Sequence, residues 1–164
     1  MKQINEYSIA VHEAGHAVMS VMINRDITEV TIIPNSKYIG SCESINLSAF
    51  GNPSNDNALI LKIKQLIQYL FAGYIAEGNY TLSVDIKAFG NSYLDICKAN
   101  ELYEKLNLFT SLSNKKKESL VSIWKETVRI IQQPFVQQQI KAVADALMKH
   151  KKLAGSQVVE IMRA

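Results

Sequence analysis

Two histidines one helical turn apart, His12 and His16, lie inside a run in which Ile9, Val11, Ala14, Ala17, Val18, Val21 and Met22 recur at helical spacing. The pattern predicts an amphipathic helix, capped at its start by Asn5 or Ser8 and ending near Asn24. An apolar face this broad has to be buried against other elements. Glu29-Val30-Thr31-Ile32-Ile33-Pro34 is rich in β-branched residues and runs into a turn, and Tyr38 to Ile45 returns as a second strand. A small sheet beside the first helix follows from that pairing.

The stretch Ser48 to Asp56 has loop chemistry, after which Leu59, Ile63, Leu66, Ile67, Leu70 and Phe71 mark a helix over Ala58 to Ala76 that is apolar on more than one side. Gly78 to Gly90 reads as irregular. Ile96, Ala99, Leu102 and Leu106 predict a further helix with Asp95 at its N-terminus. Two more helices are expected at about Lys116 to Gln132 and Phe135 to His150, separated by Pro134, and Gly155-Ser156 introduces a short last one through Met162. The fold class is therefore α+β and mainly helical, a single domain over residues 1–164 with the histidine-bearing helix beside a small sheet, followed by a helical bundle.

At 164 residues, 48% of them hydrophobic and 20% charged, the chain can bury one core and does not have the composition of a disordered segment. The formal charge of +3 comes partly from Lys115-Lys116-Lys117 and Lys149-His150-Lys151-Lys152, and neither cluster interleaves aromatic residues. This argues against a nucleic-acid partner. Cys42 and Cys97 have no spacing of a disulfide scaffold or a thiolate zinc site, which fits a reducing, cytoplasmic setting. The N-terminus has no secretory apolar run, and no stretch approaches about 18 uninterrupted apolar residues, so no direct membrane span is expected.

His12-Glu13-Ala14-Gly15-His16 is an HExxH motif, whose two imidazoles share one helix face and can share one metal, with zinc the expected ion. A catalytic zinc needs a third protein ligand and keeps one position for water, and Glu13 is placed to act as general base on that water. Small Ala14 and Gly15 let another backbone approach. The metzincin extension is absent, since Met19 and Met22 stand where it requires glycine and a third histidine.

The chain resembles the C-terminal peptidase domain of the FtsH-type ATP-dependent zinc metalloproteases. His12-Glu13-Ala14-Gly15-His16-Ala17 looks like the HEAGHA signature of that family, and Glu29 to Pro34 is similar to the strand that follows it. Ala72-Gly73-Tyr74-Ile75-Ala76-Glu77 resembles its glycine-containing helix ending in an Ala-Glu pair, and Gly90 to Ile96 its Gly-x-Ser segment before the aspartate ligand. The resemblance implies Asp95 as third ligand, with Asp85 and Glu77 as rivals because one extra residue lies between Ser92 and Asp95. It also implies Glu77 as a partner of a ligand histidine, and Val30, Thr31, Ile32 and Ile33 as an edge strand gripping substrate by β-augmentation.

The activity so implied is a zinc endopeptidase acting on flexible or unfolded polypeptides, and the family's hexameric ring implies a homo-oligomer. No Gly-x-x-x-x-Gly-Lys-Ser/Thr loop is present, so a separate ATPase would have to supply unfolding power. The competing reading is a non-catalytic, peptidase-like module that docks on such an ATPase.

Overall fold

The computed structural model describes residues 5–34, 41–44, 56–80, 82, 92–113 and 115–164. The fold is α+β and mainly helical. Helix α1 (Glu6–Met22) begins where the Asn5 side chain accepts from the Tyr7 amide at 3.1 Å, which satisfies one of the free donors of the first turn. It leads into β1 (Ile27–Thr31) and β2 (Ser41–Ser44). Helices α2 (Asp56–Ala76), α3 (Tyr93–Leu112), α4 (Leu120–Ile131) and α5 (Pro134–His150) follow, then β3 (Lys152–Ala154) and α6 (Gly155–Arg163).

Each boundary has a local cause. Helix α4 starts later than the sequence suggests because Ser119 caps it, its Oγ accepting from the Ser122 amide at 3.1 Å. Pro134 opens α5 at the position where a missing N–H costs nothing. That helix ends on Lys151, whose φ of +63° lies in the left-handed region, and its amide donates to the Leu147 carbonyl at 2.7 Å. The turn sends Lys152–Ala154 back along β1.

That third strand corrects the expectation of an edge at Val30 and Thr31, the part of Val30 to Ile33 that lies in β1. The sheet order is β2-β1-β3, with β1 antiparallel to both neighbours: Val30 faces Cys42 on one side and Leu153 on the other, and Thr31 faces Ser41 and Lys152. Ile32 continues the pairing by donating to the Lys151 carbonyl at 2.9 Å, and Ile33 donates to the Thr31 hydroxyl at 3.0 Å. Val30 and Ile32 are buried. Since both sides of β1 are already taken at Val30 and Thr31, a substrate strand cannot add there.

The core lies where α1, α2 and α5 meet, with α3 and α4 against the other flanks of α2. Ala10, Ala14, Ala17 and Val18 of α1 pack with Ile67, Phe71, Ala72 and Ile75 of α2 and with Val136, Val143 and Leu147 of α5, all of them buried. Trp124 of α4 meets Phe71 edge to face at 4.9 Å, and its indole N–H donates to the Tyr80 carbonyl at 3.1 Å, which fixes the chain just beyond α2. By length and composition α2 could cross a membrane, but 56% of that stretch is buried inside this protein, as expected for a core helix.

Helices α1 and α2 approach closely at Gly15. A Cβ there would lie 2.6 Å from the Ala76 Cβ and 2.7 Å from the Ala72 carbonyl oxygen, and neither of those groups can swing aside. Replacing a helical glycine by alanine ordinarily gains about 1 kcal/mol, whereas overpacking against backbone costs about 1 to 3 kcal/mol. Gly15→Ala is therefore expected to lower stability on balance, read as a lower urea midpoint with an unchanged slope. A raised midpoint would show that the two helices have room to spare.

Candidate metal centre

Because residues four apart stack along one side of a helix, α1 presents His12 and His16 together, toward α2 and the start of α3. Asp95 lies in the first turn of α3. The three side chains converge. The two imidazole Nε2 atoms are 3.0 Å apart, and Asp95 Oδ2 is 3.4 Å from His12 Nε2 and 3.3 Å from His16 Nε2. Among the described residues these three form the group able to hold a metal ion, with donor atoms within 4.8 Å of one another.

The spacing suits zinc. Bonds of about 2.0 to 2.1 Å in a tetrahedron place ligand atoms about 3.3 to 3.4 Å from one another, close to the separations of this trio. Their chemistry, two neutral nitrogens and one carboxylate oxygen, is also that of a zinc site with a position left over.

What aims the imidazoles is α2. His12 Nδ1 lies 2.7 Å from Glu77 Oε1, just past the end of that helix, and His16 Nδ1 lies 2.9 Å from the Tyr69 carbonyl oxygen. With Nδ1–H donating to those oxygens, each Nε2 keeps its lone pair for the centre. Glu77 is itself held, because Ser8 Oγ donates to its Oε2 at 2.8 Å, and Ser92 Oγ approaches His12 Nδ1 at 3.4 Å. Between Tyr69 and Glu77, Gly73 faces the rings directly. A Cβ at that position would stand 2.5 Å from His16 Nε2 and 2.8 Å from His12 Nε2, so Gly73 leaves the space in which the donors meet. Residues 69, 73 and 77 recur every fourth position, along one face of α2.

Glu13 is buried beside the histidines. Burial pushes its carboxyl above the ordinary value, the His16 and His12 rings pull it down, and Asp95 and Glu77 push it up again, with an upward result. For Asp95 burial also works upward, but the two imidazoles outweigh it and hold the carboxyl well below the usual carboxylate range. His12 behaves conversely. Its burial lowers the pKa, whereas hydrogen bonds with Asp95 and Glu77, reinforced by Glu13, raise it to about 10.

Of the residues singled out by sequence, His12, Glu13, His16 and Asp95 come together and Glu77 stands behind His12 rather than among the donors. Asp85 lies outside the described residues. Val30 and Thr31 belong to the interior strand of the sheet, and Ile32 and Ile33 follow its end. Sequence reasoning missed the Tyr69 carbonyl, the steric role of Gly73 and the Ser8 contact. The spacing of 69, 73 and 77 was the available signal, but it has meaning only once α2 is known to face His12 and His16.

No family model matches the chain. Curated relatives do: a nucleotide-binding protein of Clostridium beijerinckii is 32% identical over 89 residues, which cover 49% of this chain and 30% of the relative. A nucleotide-binding protein of Clostridium botulinum is 29% identical over 91 residues, covering 49% of this chain and 30% of its own length, and one of Clostridium acetobutylicum is 30% identical over 88 residues, covering 49% and 29%. The chain thus spans under a third of the length of these relatives. They overturn the resemblance to FtsH-type metalloproteases. With it go the zinc endopeptidase activity, the polypeptide substrate and the peptidase-like module docking on an ATPase, because proteins similar to this one carry the name of nucleotide binders. The physical reason is that an i, i+4 histidine pair flanked by small residues is what any two-imidazole site on a packed helix requires, and it specifies no reaction.

Proposed function

We propose that this chain is a metal-binding domain in which His12, His16 and Asp95 hold a divalent ion of the zinc class and leave a position for an anionic ligand. The observation that supports this reading is the convergence of the three donors at tetrahedral spacing while Glu77 and the Tyr69 carbonyl occupy both Nδ1 atoms. A histidine pair that served packing alone would have no need of two outward-facing nitrogens beside a carboxylate. When bound, the ion supplies Lewis acidity and positive charge. Glu13 adds a buried carboxyl next to the donors, able to exchange a hydrogen bond with whatever occupies the remaining position.

The names of the relatives favour one ligand class, nucleotides. A nucleotide must be held by its phosphates or its base. The sequence contains no Gly-x-x-x-x-Gly-Lys-Ser/Thr loop, so the metal centre is the candidate anchor for phosphate oxygen in this domain.

Purified protein is expected to take up one zinc per chain, measured by elemental analysis after dialysis, and to lose it in His16→Ala and Asp95→Asn. At a free zinc concentration 100 times the dissociation constant, binding should add about 2.7 kcal/mol of stability, or roughly 5 to 10 °C in melting temperature for a domain of this size. Wild-type protein with no melting shift and no bound metal would refute the reading.

Zinc competes with the proton that His12 holds up to about 10. Zinc affinity is therefore expected to climb with pH across the neutral range, with proton release seen by calorimetry in buffers of different ionisation enthalpy. In chelator the sign reverses. A histidine whose folded pKa is raised adds stability that is complete below about pH 6.5 and is lost as pH rises toward about 10. A pH-independent zinc affinity would contradict the hydrogen-bonded arrangement around His12.

Gly73→Ala puts a methyl group where the two Nε2 atoms meet the ion, and zinc affinity should fall by about 10- to 100-fold or more. Far-ultraviolet circular dichroism should stay unchanged. Unaltered affinity in this variant would mean that the imidazoles do not meet in front of α2.

A further inference from the structure

One cation, Arg25, lies across the Tyr69 ring from His16 and keeps two nitrogens without an acceptor among the described residues. After α1 the chain turns through Asn24 at φ +53°, and the Arg25 amide donates to the Ser20 carbonyl at 2.8 Å. The Arg25 side chain then lies on Tyr69, its guanidinium carbon 4.1 Å from the ring centre. Nε and Nη1 are shut off from water and meet no acceptor among the described residues. Tyr69 is also the residue whose carbonyl holds His16 Nδ1, and its ring packs on the His16 imidazole at 4.9 Å between centres. A single aromatic ring therefore touches both the guanidinium and a metal donor.

Stacking on Tyr69 steadies the guanidinium but supplies no acceptor to its edge. Buried N–H groups of a charged side chain left unpaired carry the full cost of lost hydration, and native proteins keep few of them outside places where something else completes the bond. The group that best completes a guanidinium is a planar or tetrahedral oxyanion.

We propose that Arg25 is the anion-binding member of this site, donating to a phosphate-class group of the ligand; that the same ligand reaches the ion at His12, His16 and Asp95 rests on the metal-binding reading above. The source of the phosphate is either a nucleotide or free phosphate, and the chemistry at Arg25 is the same for both.

The test is calorimetric titration of the zinc-loaded 164-residue chain with adenosine triphosphate, adenosine monophosphate and inorganic phosphate, in wild type, Arg25→Gln and Arg25→Lys, with zinc content measured on each sample. Wild type is expected to bind at least one of the three probes. Arg25→Gln should weaken that binding 10-fold or more while retaining zinc, and Arg25→Lys, which keeps charge but loses the planar fork, should fall between. Tighter binding of the nucleotides than of inorganic phosphate would support the proposal with a nucleotide as source, and equal binding would support it with free phosphate.

Equal affinity in wild type and Arg25→Gln, or no binding of any probe by wild type, would overturn the proposal. Should Arg25→Gln fail to fold, Arg25→Lys decides: lowered affinity supports the role, and unchanged affinity overturns it. Arg25-dependent anion binding by a protein that takes up no zinc would refute the metal reading alone, whereas full zinc uptake with indifferent anion binding would refute only the role of Arg25.

Discussion

The contact on which the rest depends is the close seating of α2 against α1. Gly15 lets the two backbones approach at Ala72 and Ala76, and Gly73 one position further presents no side chain to the histidines. Only at that separation can the Tyr69 carbonyl reach His16 and Glu77 reach His12. A larger residue at 15 or 73 would act twice, by spreading the core and by turning the imidazoles away from a common point. Fold and site are thus set by the same few missing atoms. The apolar burial on either side, from Ala10, Ala14 and Ala17 to Phe71 and Ile75, supplies the force that holds the helices at this distance.

Much of the framework was legible because helical periodicity is a local property. The apolar spacing of α1, α2 and α5 located these helices to within a few residues, and Pro134 marked the start of α5. Strand β3 was not legible. Lys152, Leu153 and Ala154 form a strand only because the left-handed turn at Lys151 lays them beside β1, and three residues carry too little pattern to reveal that. The same omission produced the mistaken edge at Val30 and Thr31, since a strand counted with one neighbour has a free side. Helix α3 extends beyond the predicted stretch, to Tyr93 at one end and Leu112 at the other, and Leu108 and Leu112 in its last turns are exposed, so the apolar residues there follow no single buried face.

The donors were legible for a different reason: chemistry restricts which side chains can bind a metal, and helix geometry restricts their spacing. His12, His16 and Asp95 meet, although Asp95 is far away in sequence. What the motif does not carry is the reaction. The same three side chains suit catalysis, structural metal binding or the capture of an anion, and the choice is made by neighbours that a short motif leaves unspecified.

Charge balance narrows it further. Asp95 among the donors and Glu77 behind His12 would offset part of the positive charge that a bound ion brings. Arg25, on the ring that packs against His16, adds a positive charge of its own. Glu13 adds a further buried carboxyl beside the donors, pushed upward by burial against the downward pull of the His16 and His12 rings. The surroundings of the donors, and not the donors themselves, are therefore what would distinguish one ligand of such a centre from another.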